Sequence, residues 1–136
     1  MRPLFLLDTN ICIYLMRYQP SQLARRLGCC RVGEVLISAI TAAELEFGIL
    51  ASGSDAERNR RALDRCVAEV PVAAFDHKAA CAYGPVRLAS RERRRDALDK
   101  LIAAHAIALD VILVTNNPRD FSAFPGLRAD NWVAEA

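Results

Sequence analysis

Four oxygen-bearing side chains, Asp8, Glu44, Asp99 and Asn117, stand far apart in the chain, each where an apolar run meets a helical or turn pattern. Asp8 follows Pro3-Leu4-Phe5-Leu6-Leu7, Glu44 comes shortly after Val35-Leu36-Ile37-Ser38, and Asn117 follows Val111-Ile112-Leu113-Val114-Thr115. In a parallel α/β sheet such positions meet at one edge, outside the carboxyl ends of the strands. Asp99 lies within a helical stretch from about Asp96 to Ala108 and is the one member that follows no strand. Acids gathered from such distances point to a divalent-metal site.

Each residue also has a plainer role. Asp8-Thr9-Asn10 are all good helix caps. Thr41-x-x-Glu44 has the form of a capping box, in which Glu44 bonds back to the Thr41 backbone. Asp99 sits beside Ile102 at the margin of the stripe Leu98, Leu101, Ile102, His105 and Leu109, where burial disfavours charge. It is equally a first-turn acid favoured by the helix dipole, with Asp96 as cap. Asn117, followed by Pro118, suits an ordinary turn. His105 reads as a core histidine. The run Arg91-Glu92-Arg93-Arg94-Arg95 directly precedes Asp96 and Asp99, and either clamps phosphates beside the metal or is simply solvated.

The elements that would position these side chains alternate. Strand-like runs at about 3–7, 35–38 and 111–114 are separated by helical patterns, which predicts an α/β fold around a parallel sheet. A first helix starts after Asp8 and ends before Pro20, a second covers about Ser21–Leu27, and Thr41 opens a third running to about Ala51. After the turn Gly53-Ser54-Asp55 comes a polar-faced helix to about Glu69, then a short extended piece near Val72–Ala74. Another helix follows from about Asp76, its N-cap, to Ser90. Pro125-Gly126 marks a late turn before a closing segment near Trp132.

A chain of 136 residues with 53% hydrophobic content suits one domain, residues 1–136, without repeats or a linker. No apolar stretch suits a bilayer span and no leader pattern opens the chain, so no membrane association and a cytoplasmic location are expected. Five cysteines form no CxxC pair and, with two histidines, lack zinc-ligand spacing. They read as reduced, mostly buried thiols. A net charge of +2 is neutral about partners. Ile11–Leu15 with Phe47 and Leu50 offers more apolar surface than a small helix layer needs, which fits either core packing or a groove for an amphipathic partner.

Taken together, Leu6-Leu7-Asp8-Thr9-Asn10-Ile11, Ser38-Ala39-Ile40-Thr41-Ala42-Ala43-Glu44-Leu45 with Gly48, Asp99-Lys100-Leu101-Ile102-Ala103-Ala104-His105-Ala106, and Val114-Thr115-Asn116-Asn117-Pro118-Arg119-Asp120-Phe121 resemble the PIN-domain toxins of VapBC toxin–antitoxin modules. The resemblance covers nearly the whole chain. It implies a PIN-like α/β/α sandwich around a central parallel sheet, and an endoribonuclease dependent on Mg²⁺ or Mn²⁺. The wording near Asp8 and Asp99 is closest to the subgroup that cuts initiator tRNA. It also implies a VapB-type antitoxin, a homodimer and toxin–antitoxin hetero-oligomers, with operator DNA reached only through the antitoxin. On these motifs Asp8 and Asp99 match the main metal-ligand positions, Glu44 the third acid, and Asn117 the fourth, which in many relatives is Asp. The chain departs there, and again at Arg95-Asp96-Ala97-Leu98, where close relatives carry a Gly-Pro turn.

The chemistry agrees with the resemblance, because Mg²⁺ prefers oxygen ligands and needs only one or two carboxylates beside substrate phosphate. Two other readings remain. A haloacid-dehalogenase-like phosphatase also begins with an apolar strand and an Asp, but needs an acid where Asn10 stands. A catalytically weakened PIN-like module would bind RNA or a protein partner, with Asn117 its first sign of decay. P-loop and dinucleotide fingerprints are absent.

Overall fold

Short apolar strands, each followed by a helix, pack both faces of one sheet. The computed structural model describes residues 2–93 and 95–133, so Arg94 of the basic run lies outside the described residues. The order is β1 (Phe5–Leu7), α1 (Thr9–Arg17), α2 (Ser21–Gly28), β2 (Val35–Ser38), α3 (Ala39–Leu50), α4 (Ala56–Glu69), β3 (Val72–Ala73), α5 (His77–Ala89), α6 (Ala97–Leu109), β4 (Ile112–Val114) and β5 (Ala129–Asp130). Single 3-10 turns lie at Gly53–Asp55 and Pro118–Phe121.

All strand pairs are parallel, in the order β3-β2-β1-β4-β5. Side chains alternate across the sheet as a two-residue period requires. Leu6 and Leu113 face a core shared with Val86, Ile102 and Ala106 of α5 and α6. Leu7, Val35, Ile37 and Val114 face the opposite core, built with Ile11, Leu23, Leu45 and Leu63 of α1, α2, α3 and α4. The result is the α/β/α sandwich expected from the sequence. Chain direction reverses in strand order between β1 and β4, and in open parallel sheets the crevice at such a switch point is where ligands bind.

Several local expectations are corrected. The third helix begins at Ala39, with the buried Ser38 as its N-cap, whose hydroxyl accepts from the Ile40 N–H at 3.0 Å. Thr41 is therefore inside the helix and buried, and the capping box with Glu44 does not form. The sheet has five strands where three runs stood out: the short extended piece expected near Val72–Ala74 is β3, and β5 is new, both being two residues long and owing their pairing to β2 and β4 rather than to a pattern of their own. Of the five free thiols only Cys12 and Cys66 are buried, since Cys29 and Cys30 fall at the frayed end of α2 and Cys81 on the outer face of α5. Ile11 and Cys12 belong to the core, whereas Phe47 and Leu50 are 71% and 81% exposed.

Candidate active site

The switch point fixes the first acid. The Asp8 N–H continues the ladder by donating to the Val114 carbonyl at 3.0 Å, and its carboxylate turns back to cap α1, accepting from the Ile11 N–H at 2.9 Å. Capping and a site role are thus compatible, because one oxygen suffices for the cap. Asp8 is almost wholly buried, and burial raises its pKa. Hydrogen bonds from the Thr115 hydroxyl and the Ile11 amide oppose that rise, and the charge of Glu44 adds to it.

Glu44 arrives from the β2 side. It lies in the second turn of α3 after the Ser38 cap, and the Thr9 hydroxyl, next to Asp8, donates to its Oε1 at 2.7 Å. The Thr41 hydroxyl lies 3.3 Å from that of Thr9, so α1 and α3 are bolted together beside the acids. The buried His105 fixes the same helix end from α6, with Nδ1 2.7 Å from the Ser38 hydroxyl and its ring edge-on to Phe75. Burial holds this imidazole below its ordinary value, against the pull of Asp76. It is the core histidine the stripe predicts.

Helix α6 runs against the strands, so its first turn lies at their carboxyl edge and carries Asp99 to Asp8 and Glu44. Burial, then the charges of Asp8, Glu44, Asp96 and Asp120 in that order, push Asp99 up to about 6. Asn117 is exposed and enters the site indirectly. Its backbone N–H donates to the Thr115 hydroxyl at 3.1 Å, and its side-chain amide donates to Asp120 Oδ2 at 2.8 Å. The carboxylate that faces Asp99 from this strand end is therefore Asp120, which the sequence reading passed over. Its only sequence signal is an acid three residues beyond Asn117, on the turn that Pro118 opens.

The loop before α6 is tied down from inside. Lys100, a charged residue buried among apolar neighbours, donates to the Ser90 carbonyl at 3.0 Å and to the Arg93 carbonyl, and lies 3.2 Å from Asp96. Asp96 also pairs with Arg93 at 2.8 Å, and the Arg93 guanidinium covers the Phe124 ring at 5.4 Å.

The donor set of Asp8, Glu44, Asp99 and Asp120 is all oxygen, the kind Mg²⁺ and Mn²⁺ prefer. Among the described residues, no three His, Cys, Asp or Glu side chains stand as ready ligands of one ion. A hard cation that takes one or two carboxylates and completes its shell with water and phosphate fits this arrangement, and a caged structural metal does not.

The sequence matches the PIN domain over residues 5–127. It is 36% identical to the tRNA(fMet)-specific endonuclease VapC of Shigella flexneri over 130 residues, 94% of this chain and 97% of that protein. The chain belongs to the VapC family of PIN-domain proteins. Ribonuclease VapC2 of Rickettsia felis is 34% identical, covering 95% of this chain and 98% of its own length. The solved VapBC2 complex of Rickettsia felis, bound to a promoter DNA fragment, superimposes with a TM-score of 0.87 at 33% identity, over 95% of this chain and 98% of that one. VapBC-1 of nontypeable Haemophilus influenzae gives 0.83 at 30% identity, over 96% and 99%. The VapC fold accounts for the sandwich and strand order, and among the described residues no helix is long and apolar enough to cross a membrane.

Proposed function

We propose that this protein is a Mg²⁺-dependent endoribonuclease acting on tRNA, and the toxin of a type II toxin–antitoxin pair. The observation that carries the reading is the meeting of Asp8, Glu44 and Asp99 at the switch point, where the charge of Glu44 raises the cost of ionising Asp8 and the charges of Asp8 and Glu44 raise that of Asp99. Only a cation relieves such a cost without giving up the charges. Membership of the VapC family adds RNA as the substrate class, tRNA as the first RNA to try, and a VapB-type antitoxin, self-association and operator DNA reached through the antitoxin as the assembly.

In this reading Asp8 and Asp99 hold the metal. When bound, it would neutralise charge on the scissile phosphate and acidify an attacking water. Asp8 is rigid because α1 starts on it. Glu44 keeps Oε1 on the Thr9 hydroxyl and presents Oε2 to a water or to the substrate. Asn117 holds Asp120 toward Asp99, adding negative charge that strengthens cation binding. Hydrolysis of this kind leaves 5′-phosphate and 3′-hydroxyl ends.

The test is incubation of antitoxin-free protein with total tRNA in Mg²⁺, in EDTA, and in Mg²⁺ with the Asp8→Asn variant, reading fragments and end groups. Discrete fragments that need metal and vanish in the variant are expected. Cleavage that persists in EDTA or in Asp8→Asn rejects the metal assignment, and intact RNA under every condition rejects the nuclease.

A further inference from the structure

The basic run before α6 divides into residues with different jobs. Arg93 is spent on the protein itself, paired with Asp96 and laid over Phe124. Arg95, two residues on, is exposed and forms no ion pair or hydrogen bond with any described residue. It nevertheless lines a cavity of about 600 Å³ whose other walls include Asp99 and Asp120, with Glu92, Arg93 and Asp96 completing the rim. Its guanidinium bonds to none of the carboxylates that share this lining. The loop is tied down nearby, at Arg93, whose carbonyl accepts from Lys100, and at Asp96, whose carbonyl accepts from the Lys100 backbone N–H at 2.9 Å.

We infer that Arg95 is a substrate-positioning residue that binds a backbone phosphate of the RNA next to the one being cleaved. The inference rests on the nuclease reading above. Its chemistry follows from the cavity: the lining carries acids that would hold the cation and, with them, a free planar donor suited to bidentate contact with phosphate oxygens. A polyanion crossing the cavity meets Asp99 and Asp120 through the cation and Arg95 directly. The acids, which would repel RNA alone, become a register: only a strand that brings one phosphate to the cation and the next to Arg95 satisfies both. Arg91, exposed and outside the cavity, contributes no such contact.

Binding of an initiator-tRNA transcript is measured against salt in the Asp8→Asn background, where the RNA stays intact, and cleavage kinetics are measured in Mg²⁺ with Asp8 present. Arg95→Gln is expected to weaken binding about fivefold to tenfold and to flatten the slope of log K against log salt by roughly 0.7–0.9, one phosphate contact. It raises KM with kcat little changed, Arg95→Lys recovers part of the loss, and Arg91→Gln behaves as the parent. An unchanged Kd and slope in Arg95→Gln, or equal losses in Arg95→Gln and Arg91→Gln, overturns the inference. If the unsubstituted protein cleaves no RNA, the nuclease reading fails by itself, and the binding comparison still decides Arg95.

Discussion

Asp99 is held near 6 by burial and by its acidic neighbours, and the sign of that shift sets how the metal-free protein responds to pH. The folded state binds this proton more tightly than the unfolded state, whose carboxyl titrates near 3.8. The penalty is therefore fully present above about 6 and is relieved as pH falls from 6 toward 3.8. In EDTA, Asp99→Asn should be more stable than the parent at pH 7.5, and the gap should close by pH 4. Urea melts across that range check it, and a gap independent of pH would show that Asp99 feels no such field. At Asn117 the side-chain amide donates to Asp120, so the carboxylate at this strand end stands three residues further on. Asp120→Asn should weaken the apparent Mg²⁺ affinity about tenfold, and Asn117→Ala less, because it removes only the orienting bond. Mg²⁺ titrations of cleavage read both, and parental values in both would remove Asp120 from the site. Asp8, Glu44 and Asp99 were legible because each follows or opens a strong pattern. Asp120 was not, because an acid inside a polar turn looks like solvent-facing punctuation.

The elements do their positioning through a few buried polar contacts that no hydrophobic period announces. Ser38 illustrates this: as the last residue of β2 it also caps α3 and binds His105, so the cap lies three residues before the threonine that looked like it. The register of Glu44 follows from that earlier start, and its hydroxyl partner is Thr9 of another helix rather than its own backbone. Strand β3 is the short extended piece expected near Val72–Ala74, whereas β5 escaped notice for a related reason, since two residues cannot display an alternation and its pairing comes from β4. Lys100 was hidden too, a charged residue where the stripe on α6 predicts none on the inner face. It satisfies two carbonyls of the preceding loop and one carboxylate. Lys100→Met keeps the length of the side chain and removes all three partners, which should cost about 3 kcal/mol. Chemical denaturation with Mg²⁺ absent tests this. A loss below about 1 kcal/mol would mean that the loop holds its shape without the lysine.

Across the whole molecule, the strand order puts the ends of β1 and β4 side by side, and the acids gathered there oppose folding while they stand charged together. The interior supplies a reporter of that opposition, because Trp132 is the one tryptophan, is buried, and packs edge-on to Phe5 of β1 at 4.7 Å under the guanidinium of Arg26. Its emission should shift to the red only when the sheet comes apart. Mg²⁺ bound by the folded state alone adds about 1.4 kcal/mol when its free concentration is tenfold above Kd. Asp8→Asn separates the cation from the fold, since an asparagine oxygen can still accept from the Ile11 N–H and cap α1 while the charge is gone. The variant should melt above the parent in EDTA and gain little from Mg²⁺, whereas the parent should gain the most. Thermal melts followed by Trp132 fluorescence at several Mg²⁺ concentrations decide it: equal gains in both proteins would place the cation elsewhere, and a variant less stable than the parent in EDTA would mean that the Asp8 charge favours folding rather than opposing it.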